Sequence, residues 1–221
     1  LYTCVSREVA DFACGRLGVP PNRCRVIENG VDYNVFEAAR ARRGVASRLC
    51  GLTVGRLARQ KGQDILIQAL GRLPSCLEWE WHFVGAPAEP AYVQALKALA
   101  ADAGMDGRLT WHGCVEREEM VDFYAKANVL ALPSRWEGEP NVVLEAMASG
   151  LPVLSSRVEG VNSIAKLEPG AVTVVAPNTP EAWCQALERV IRAPEKLEAQ
   201  IESGKDIARH DDIFDAQVGE R

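Results

Sequence analysis

Along most of the chain, stretches with helical periodicity alternate with short runs rich in Val, Leu and Thr. Strands joined through crossover helices must run parallel, and such crossovers are right-handed. The expected class is therefore α/β: a Rossmann-like, doubly wound parallel sheet, with ligands beyond the carboxyl ends of its strands. A first helix is expected over Arg7–Leu17, stopped by "GVPPN". "RCRVIENGVD" reads as a strand and a turn, because Asn29-Gly30 is strong turn chemistry. After a polar connection come the strands "CGLTVGR", "EWHFVGA", "LTWHG" and "NVLALP". Between them lie the helices "GQDILIQALGRL", "AYVQALKALAADAG" and "REEMVDFYAKA", the first with Ile65, Leu66, Ala69 and Leu70 on one face. A helix over 142–149, two successive strands "LPVLSS" and "AVTVVA", and the helices "PEAWCQALERVI" and "EKLEAQIESGKDIAR" follow. "DDIFDAQVGER" reads as a frayed tail.

The net charge of −5 argues against general nucleic-acid binding, which needs a broad basic field. Apolar runs such as "NVLALP" fall short of the roughly 20 residues that span a bilayer. The first residues carry no signal-peptide pattern. Seven cysteines without a C-x-x-C pair read as reduced thiols of a cytoplasmic protein, with no metal site. The ten-residue spacing of Cys4, Cys14 and Cys24 reads as coincidence, and His82, His112 and His210 as core or surface residues. "ARARRGVASR" concentrates Arg40, Arg42, Arg43 and Arg48 without an acid. The favoured reading is a solvated linker; the other is a peripheral contact with anionic lipid at the inner membrane face, about 1 kcal/mol per residue.

Three loops at expected strand ends carry unusual residues. In "VGRLARQKGQD", Arg56 and Lys61 follow Gly55, but the spacing is not that of a P-loop: the second glycine is replaced by Gln60, and Gly62 follows the lysine. Two cations at a sheet mouth can grip a diphosphate, or can be solvated surface charges. In "SRWEGEPNVVLEAMASGLPVLSS", Glu137 and Gly138 precede Pro140, which suits a first helical turn. The amides of Asn141, Val142 and Val143 are then expected as free donors at the positive end of a helix, an anion site. Glu145, about one turn further in, could accept neighbouring hydroxyls such as those of a ribose. "VGAPAEPAY", with Gly85, and "HGCVE", with Val115, could wall a base pocket or be ordinary turns.

Together "VIENGVD", "VGRLARQKGQDILIQAL", "FVGAP" and "LTWHGCVEREEMVDFYAKANVLALPSRWEGEPNVVLEAMASGLPVLSS" resemble the donor-binding half of retaining family-four glycosyltransferases of the GT-B architecture. The E-x7-E pattern of Glu137 and Glu145 is the most specific part. The resemblance implies a UDP- or GDP-sugar donor, transfer with retention to a polysaccharide or glycolipid, and no metal or other cofactor. It implies Arg56 and Lys61 on the diphosphate, Glu145 on the ribose and Glu137 against the donor sugar. Residues 1–32 would be the tail of a preceding acceptor-binding domain and a hinge, 33–205 the nucleotide-sugar-binding domain and 206–221 a tail. Two departures stand out. Glu139 replaces a bulky apolar residue, placing an extra negative charge beside the sugar site, and "RVEGVNSIAKL" has Asn162 or Ser163 where an acid is frequent. A non-catalytic nucleotide-sugar-binding module and a sugar-nucleotide epimerase are the alternatives.

Overall fold

The computed structural model describes residues 1–27, 29–42, 48–105 and 107–218. β1 (Tyr2–Cys4), α1 (Arg7–Leu17) and β2 (Cys24–Val26) come first, and the two strands pair in parallel as a small sheet of their own. Cys4 and Cys24 meet across it, with Sγ atoms 3.3 Å apart. Burial and the neighbouring Cys24 push the Cys14 thiol up. The spacing read as coincidence thus brings three thiols together, because one helix joins two adjacent strands.

Next comes α2 (Tyr33–Ala41), where the sequence pattern predicted only a polar connection. Asp32 caps it by accepting from the Val35 amide, and Tyr33, Phe36 and Ala39 bury one face. The arginines that follow hid this face from a reading by charge. Arg40 faces Glu202 at 3.4 Å, Arg42 faces Asp122 at 2.9 Å and Arg48 pairs with Glu80, whereas Arg43 lies outside the described residues.

The main body then alternates: β3 (Leu49–Val54), α3 (Gln63–Leu70), β4 (Trp79–Val84), α4 (Pro90–Asp102), β5 (Leu109–Gly113), α5 (Arg117–Lys126), β6 (Val129–Leu132), α6 (Asn141–Ala148), β7 (Val153–Ser156), α7 (Glu159–Leu167), β8 (Thr173–Val175), α8 (Pro180–Arg192) and α9 (Glu198–Val218). α7 corrects the two successive strands of the sequence reading: β7 and β8 pair in parallel, so a crossover has to separate them. α9 bears out the expected last helix, with Ala208 fully buried and Ile207 packed on the core, and its backbone continues to Val218 into the segment read as a frayed tail. Among the described residues, no helix is long and apolar enough to cross a membrane.

The six parallel strands lie in the order β5-β4-β3-β6-β7-β8. This is the doubly wound Rossmann order, and it reverses direction between β3 and β6. A crevice opens at such a reversal, where the loops leaving the two central strands diverge to opposite faces. Residues from α2, α5, α6, α7 and α9 form the core on one face, and residues from α3, α4 and α8 form the core on the other.

The centre of the sheet is tight. The Trp81 indole is fully buried, donates to Thr53 Oγ1 at 3.0 Å and lies across Gly51, where an added Cβ would stand 2.2 Å from the ring. Gly51→Ala should therefore overpack the core and lower stability by about 1–3 kcal/mol. Urea unfolding followed by tryptophan fluorescence measures this; an unchanged midpoint would contradict the packing described.

Candidate functional site

Two loops meet at the reversal point. After β3 the chain runs through Gly55 and Arg56 to a short 3-10 turn, Arg59–Lys61, and enters α3 through Gly62. Gly62 has φ 67°, and a Cβ there would stand 2.1 Å from the Pro133 carbonyl oxygen. Only glycine lets the loop after β3 lie so close to the loop after β6. Gly85 plays the same part on the other side: with φ 148°, its added Cβ would meet the Gly55 carbonyl oxygen at 2.1 Å. The Gly55 amide donates to Val84 O at 2.9 Å and the Gly85 amide to Gly113 O at 2.7 Å, so the loops after β3, β4 and β5 are stacked edge to edge. Val115 follows β5 with its side chain partly buried against the core.

The loops after β3 and β6 are also bonded to each other. The Arg135 amide donates to Gln60 O at 2.8 Å, and Gln60 Nε2 donates to Trp136 O at 3.0 Å. Arg135 grips Asp64 with both terminal nitrogens, at 2.9 and 2.7 Å, and the Tyr92 hydroxyl donates to the same carboxylate at 2.7 Å. Burial works against the ionised Asp64, but Arg135 and Tyr92 outweigh it and hold the carboxyl below its usual range. Behind the loop, Asn178 Nδ2 donates to the carbonyls of Pro133 and Ser134 at 3.0 and 3.2 Å.

At the centre of this frame, Lys61 Nζ donates to Glu137 Oε1 at 2.6 Å, and Ser134 Oγ donates to the same oxygen at 2.6 Å. Glu137 is buried, at 6% exposure. Among the described residues, its second oxygen accepts no hydrogen bond. Glu137 also lines a cavity of about 460 Å³ shared with Val9, Asp11 and Phe12 of α1, Trp136, Gly138 and Glu159. Arg56, Lys61 and Asn141 are not on its wall. The carboxylate thus stands between a lysine on one side and an open cavity on the other. Arg56 is exposed, and among the described residues its guanidinium forms no ion pair.

α6 starts at Asn141, one residue before the expected 142–149, and Pro140 lies just outside its first turn. Pro140 is its extended N-cap, and the Val143 amide donates to Pro140 O at 2.9 Å. The free donors expected at three positions are therefore reduced to the amides of Asn141 and Val142, because the first turn closes early. Gly160 lets α7 press on this segment: a Cβ there would stand 2.4 Å from Gly138 O.

Glu145 faces inward rather than outward. Its carboxylate accepts from the Tyr124 hydroxyl at 2.6 Å, and burial pushes its pKa up while Tyr124 and Arg117 partly offset that rise. Tyr124 was missed in the sequence. It falls on the buried face of α5 with Val121 and Ala125, and a buried phenol requires a polar partner. Glu139 has a partner the sequence did not show: its carboxylate accepts from the Asn29 amide at 2.7 Å, while Asn29 Nδ2 donates to Glu139 O at 3.2 Å. Asn29 is tied in this way to the loop before α6.

The sequence profile of the family described as "Glycosyl transferases group 1" matches residues 43–207. A D-inositol 3-phosphate glycosyltransferase of Xylanimonas cellulosilytica is 33% identical over 215 residues, covering 90% of this chain and 50% of its own. An uncharacterized glycosyltransferase of Methanocaldococcus jannaschii is 29% identical, covering 85% of this chain and 50% of its own. The chain spans about half the length of these curated relatives. Among solved structures, Anabaena HepE in complex with UDP and glucose superposes with a TM-score of 0.84 at 24% identity, over 100% of this chain and 62% of that one. Sucrose-phosphate synthase of Thermosynechococcus elongatus gives 0.84 at 23% identity, over 99% and 56%. These structural likenesses establish the fold. The profile match, which takes in β3 through the first ten residues of α9 and every residue of the two bonded loops, establishes that the chain belongs to the group 1 glycosyltransferases.

Proposed function

We propose that this chain is the donor-binding half of a retaining glycosyltransferase and holds a nucleotide-diphosphate sugar at the reversal point of its sheet. The observation that carries the reading is the Lys61–Glu137 pair: a cation and a buried carboxylate from two central strand ends, joined at 2.6 Å and leading directly into α6. In this reading Arg56 and Lys61 meet the diphosphate from one side and the amides of Asn141 and Val142 meet it from the other. Glu145, steadied by Tyr124, accepts the ribose hydroxyls. Gly55, Gly85 and Val115 border the base, and Gly138 and Pro140 shape the approach to the sugar. Glu137 keeps one oxygen on Lys61 and Ser134 and offers the other to the sugar. Relatives support the choice of ligand, since HepE has been solved with UDP-glucose.

The chemistry follows from charge. When the bond between sugar and diphosphate breaks, negative charge grows on the leaving phosphate and positive charge on the anomeric carbon. Fixed donors at the phosphate stabilise the first, and a carboxylate against the sugar stabilises the second. The positive partners of the diphosphate are all supplied by the protein, so the transfer is proposed to need no metal. The acceptor, a polysaccharide or glycolipid in this reading, would be presented by a further domain, and closure over it would exclude water. The exposed Trp136 and Phe12 on the rim of the Glu137 cavity are apolar surfaces for such an approach.

Titration of the chain with UDP- and GDP-sugars should give saturable binding. Arg56→Ala and Lys61→Ala should each weaken it about 10- to 150-fold, the equivalent of a charge-assisted hydrogen bond of about 1.5–3 kcal/mol. Absence of saturable binding by a folded chain, or variants that bind like the parent, would defeat the assignment.

Glu145→Gln separates stability from binding. A carboxyl whose folded pKa is raised favours the folded state while protonated, and that contribution is lost as pH rises through the folded value. At neutral pH the ionised Glu145 is therefore a net cost, which glutamine removes while keeping an acceptor for Tyr124. The variant should have a higher urea midpoint at pH 7.5, converging with the parent toward about pH 4, yet bind nucleotide sugar more weakly. Loss of stability at neutral pH together with unchanged affinity would contradict both roles.

A further inference from the structure

The face of the sheet that packs against α5 carries a second group of polar side chains, away from the loops described above. Parallel register sets Cys50 beside Glu80 and Leu52 beside His82. Among the described residues, Cys50 Sγ, a Glu80 carboxylate oxygen and a His82 ring nitrogen lie within 4.8 Å of one another. His82 Nε2 and Glu80 Oε1 are 3.8 Å apart. We propose that Cys50, Glu80 and His82 bind a divalent cation of the zinc class, with His112 fixing the orientation and tautomer of His82.

The ligand chemistry selects the ion. A thiolate and an imidazole favour zinc over magnesium or calcium, which take oxygen ligands. Ligands at zinc distances of about 2.0–2.3 Å lie roughly 3.3–3.8 Å apart around a tetrahedron, so rotations that shorten the present separations by about 1 Å complete the site. Cys50 is well placed to hold its position. Its amide donates to Asn128 Oδ1 at 2.7 Å and its carbonyl accepts from the Asn128 amide at 2.7 Å. On binding, its thiol proton passes to bulk water.

His112 supplies the supporting contact that metal-bound histidines usually have. Its Nε2 lies 2.8 Å from His82 Nδ1, the rings stack at 5.1 Å, and Phe123 holds His112 edge-on at 4.6 Å. One proton lies between the two rings. When it sits on His82 Nδ1, the Nε2 lone pair is left for the ion, on the side of His82 where Glu80 lies. A cavity of about 130 Å³, lined by Cys50, Leu52, His82, His112, Phe123, Lys126 and Ala127, adjoins the group and has room for a water as fourth ligand. The charges also close: thiolate and carboxylate balance the ion, while Arg48 occupies the other oxygen of Glu80 and Lys126, on the cavity wall, is an exposed residue. Cys50 and Glu80 are second residues of β3 and β4, toward the amino-terminal ends, whereas Gly55 and Gly85 lie past the carboxyl ends. The ion would thus brace the sheet and α5 without touching the donor. Linear spacing gives no hint of it, because the ligands come together only through the register of two strands.

Titrating the reduced full chain with cobalt(II) tests the site. A thiolate-to-cobalt absorption band should saturate at one equivalent and be bleached by zinc. Cys50→Ser should abolish the band, His112→Phe should keep it with affinity about 10- to 100-fold weaker, and the double variant Cys4→Ser, Cys24→Ser should leave it unchanged, with circular dichroism verifying each fold. No saturable band in the parent, a band that survives Cys50→Ser, or one lost with Cys4 and Cys24 would overturn the proposal.

Discussion

The bond between the Lys61 ammonium and the Glu137 carboxylate governs the arrangement of everything around it. It joins the loops that leave the two central strands just where the strand order reverses. Glu137 is only 6% exposed, and removing one member of a buried pair typically costs about 3–5 kcal/mol. Glu137 is therefore held in register with Lys61, and through Lys61 with β3. The remaining loop contacts surround this pair. Arg135 on Asp64, Gln60 on Trp136, and Asn178 on the carbonyls of Pro133 and Ser134 restrict each segment from a different side. Preorganisation of this kind lets charge on a departing group be met without rearrangement.

The site also carries a cost. Glu145 is kept half-buried against Tyr124, where burial disfavours its charge. Nothing in the packing of α6 asks for an ionisable residue at that position, since Val143, Leu144, Ala146 and Met147 already fill the core around it. Such a penalty fits the proposed role of Glu145 in binding, since perturbed carboxylates cluster at functional sites. Glu139 is used differently, as a strut between Asn29 and the loop before α6.

Much of this was legible before any coordinates. The alternation of patterns gave the parallel sheet, and polar residues clustered at the ends of apolar runs pointed to Arg56, Lys61, Glu137 and Glu145 as candidates, of which Lys61 and Glu137 are bonded to each other. Two helices escaped for local reasons: the buried face of α2 adjoins a run of arginines, and α7 begins with Glu159 and Gly160, a weak helical start. Partners were less visible than sites. Tyr124 lies 21 positions from Glu145 and Asp64 lies 71 from Arg135, and each pairing exists only because the strands lie in a particular order. Backbone closure of the first turn of α6 was likewise beyond the pattern, since Pro140 fits either the cap or the first helical position.

The account rests on a diphosphate lying between the Lys61 loop and the start of α6. Backbone amide NMR of the labelled chain during addition of UDP measures this directly. The account predicts saturable shifts centred on Gly55, Lys61, Gly138, Asn141 and Val142. Shifts centred instead on the basic cleft beside α8, at Arg189, Arg192 and Lys196, with the Lys61 and Asn141 amides unmoved, would contradict it.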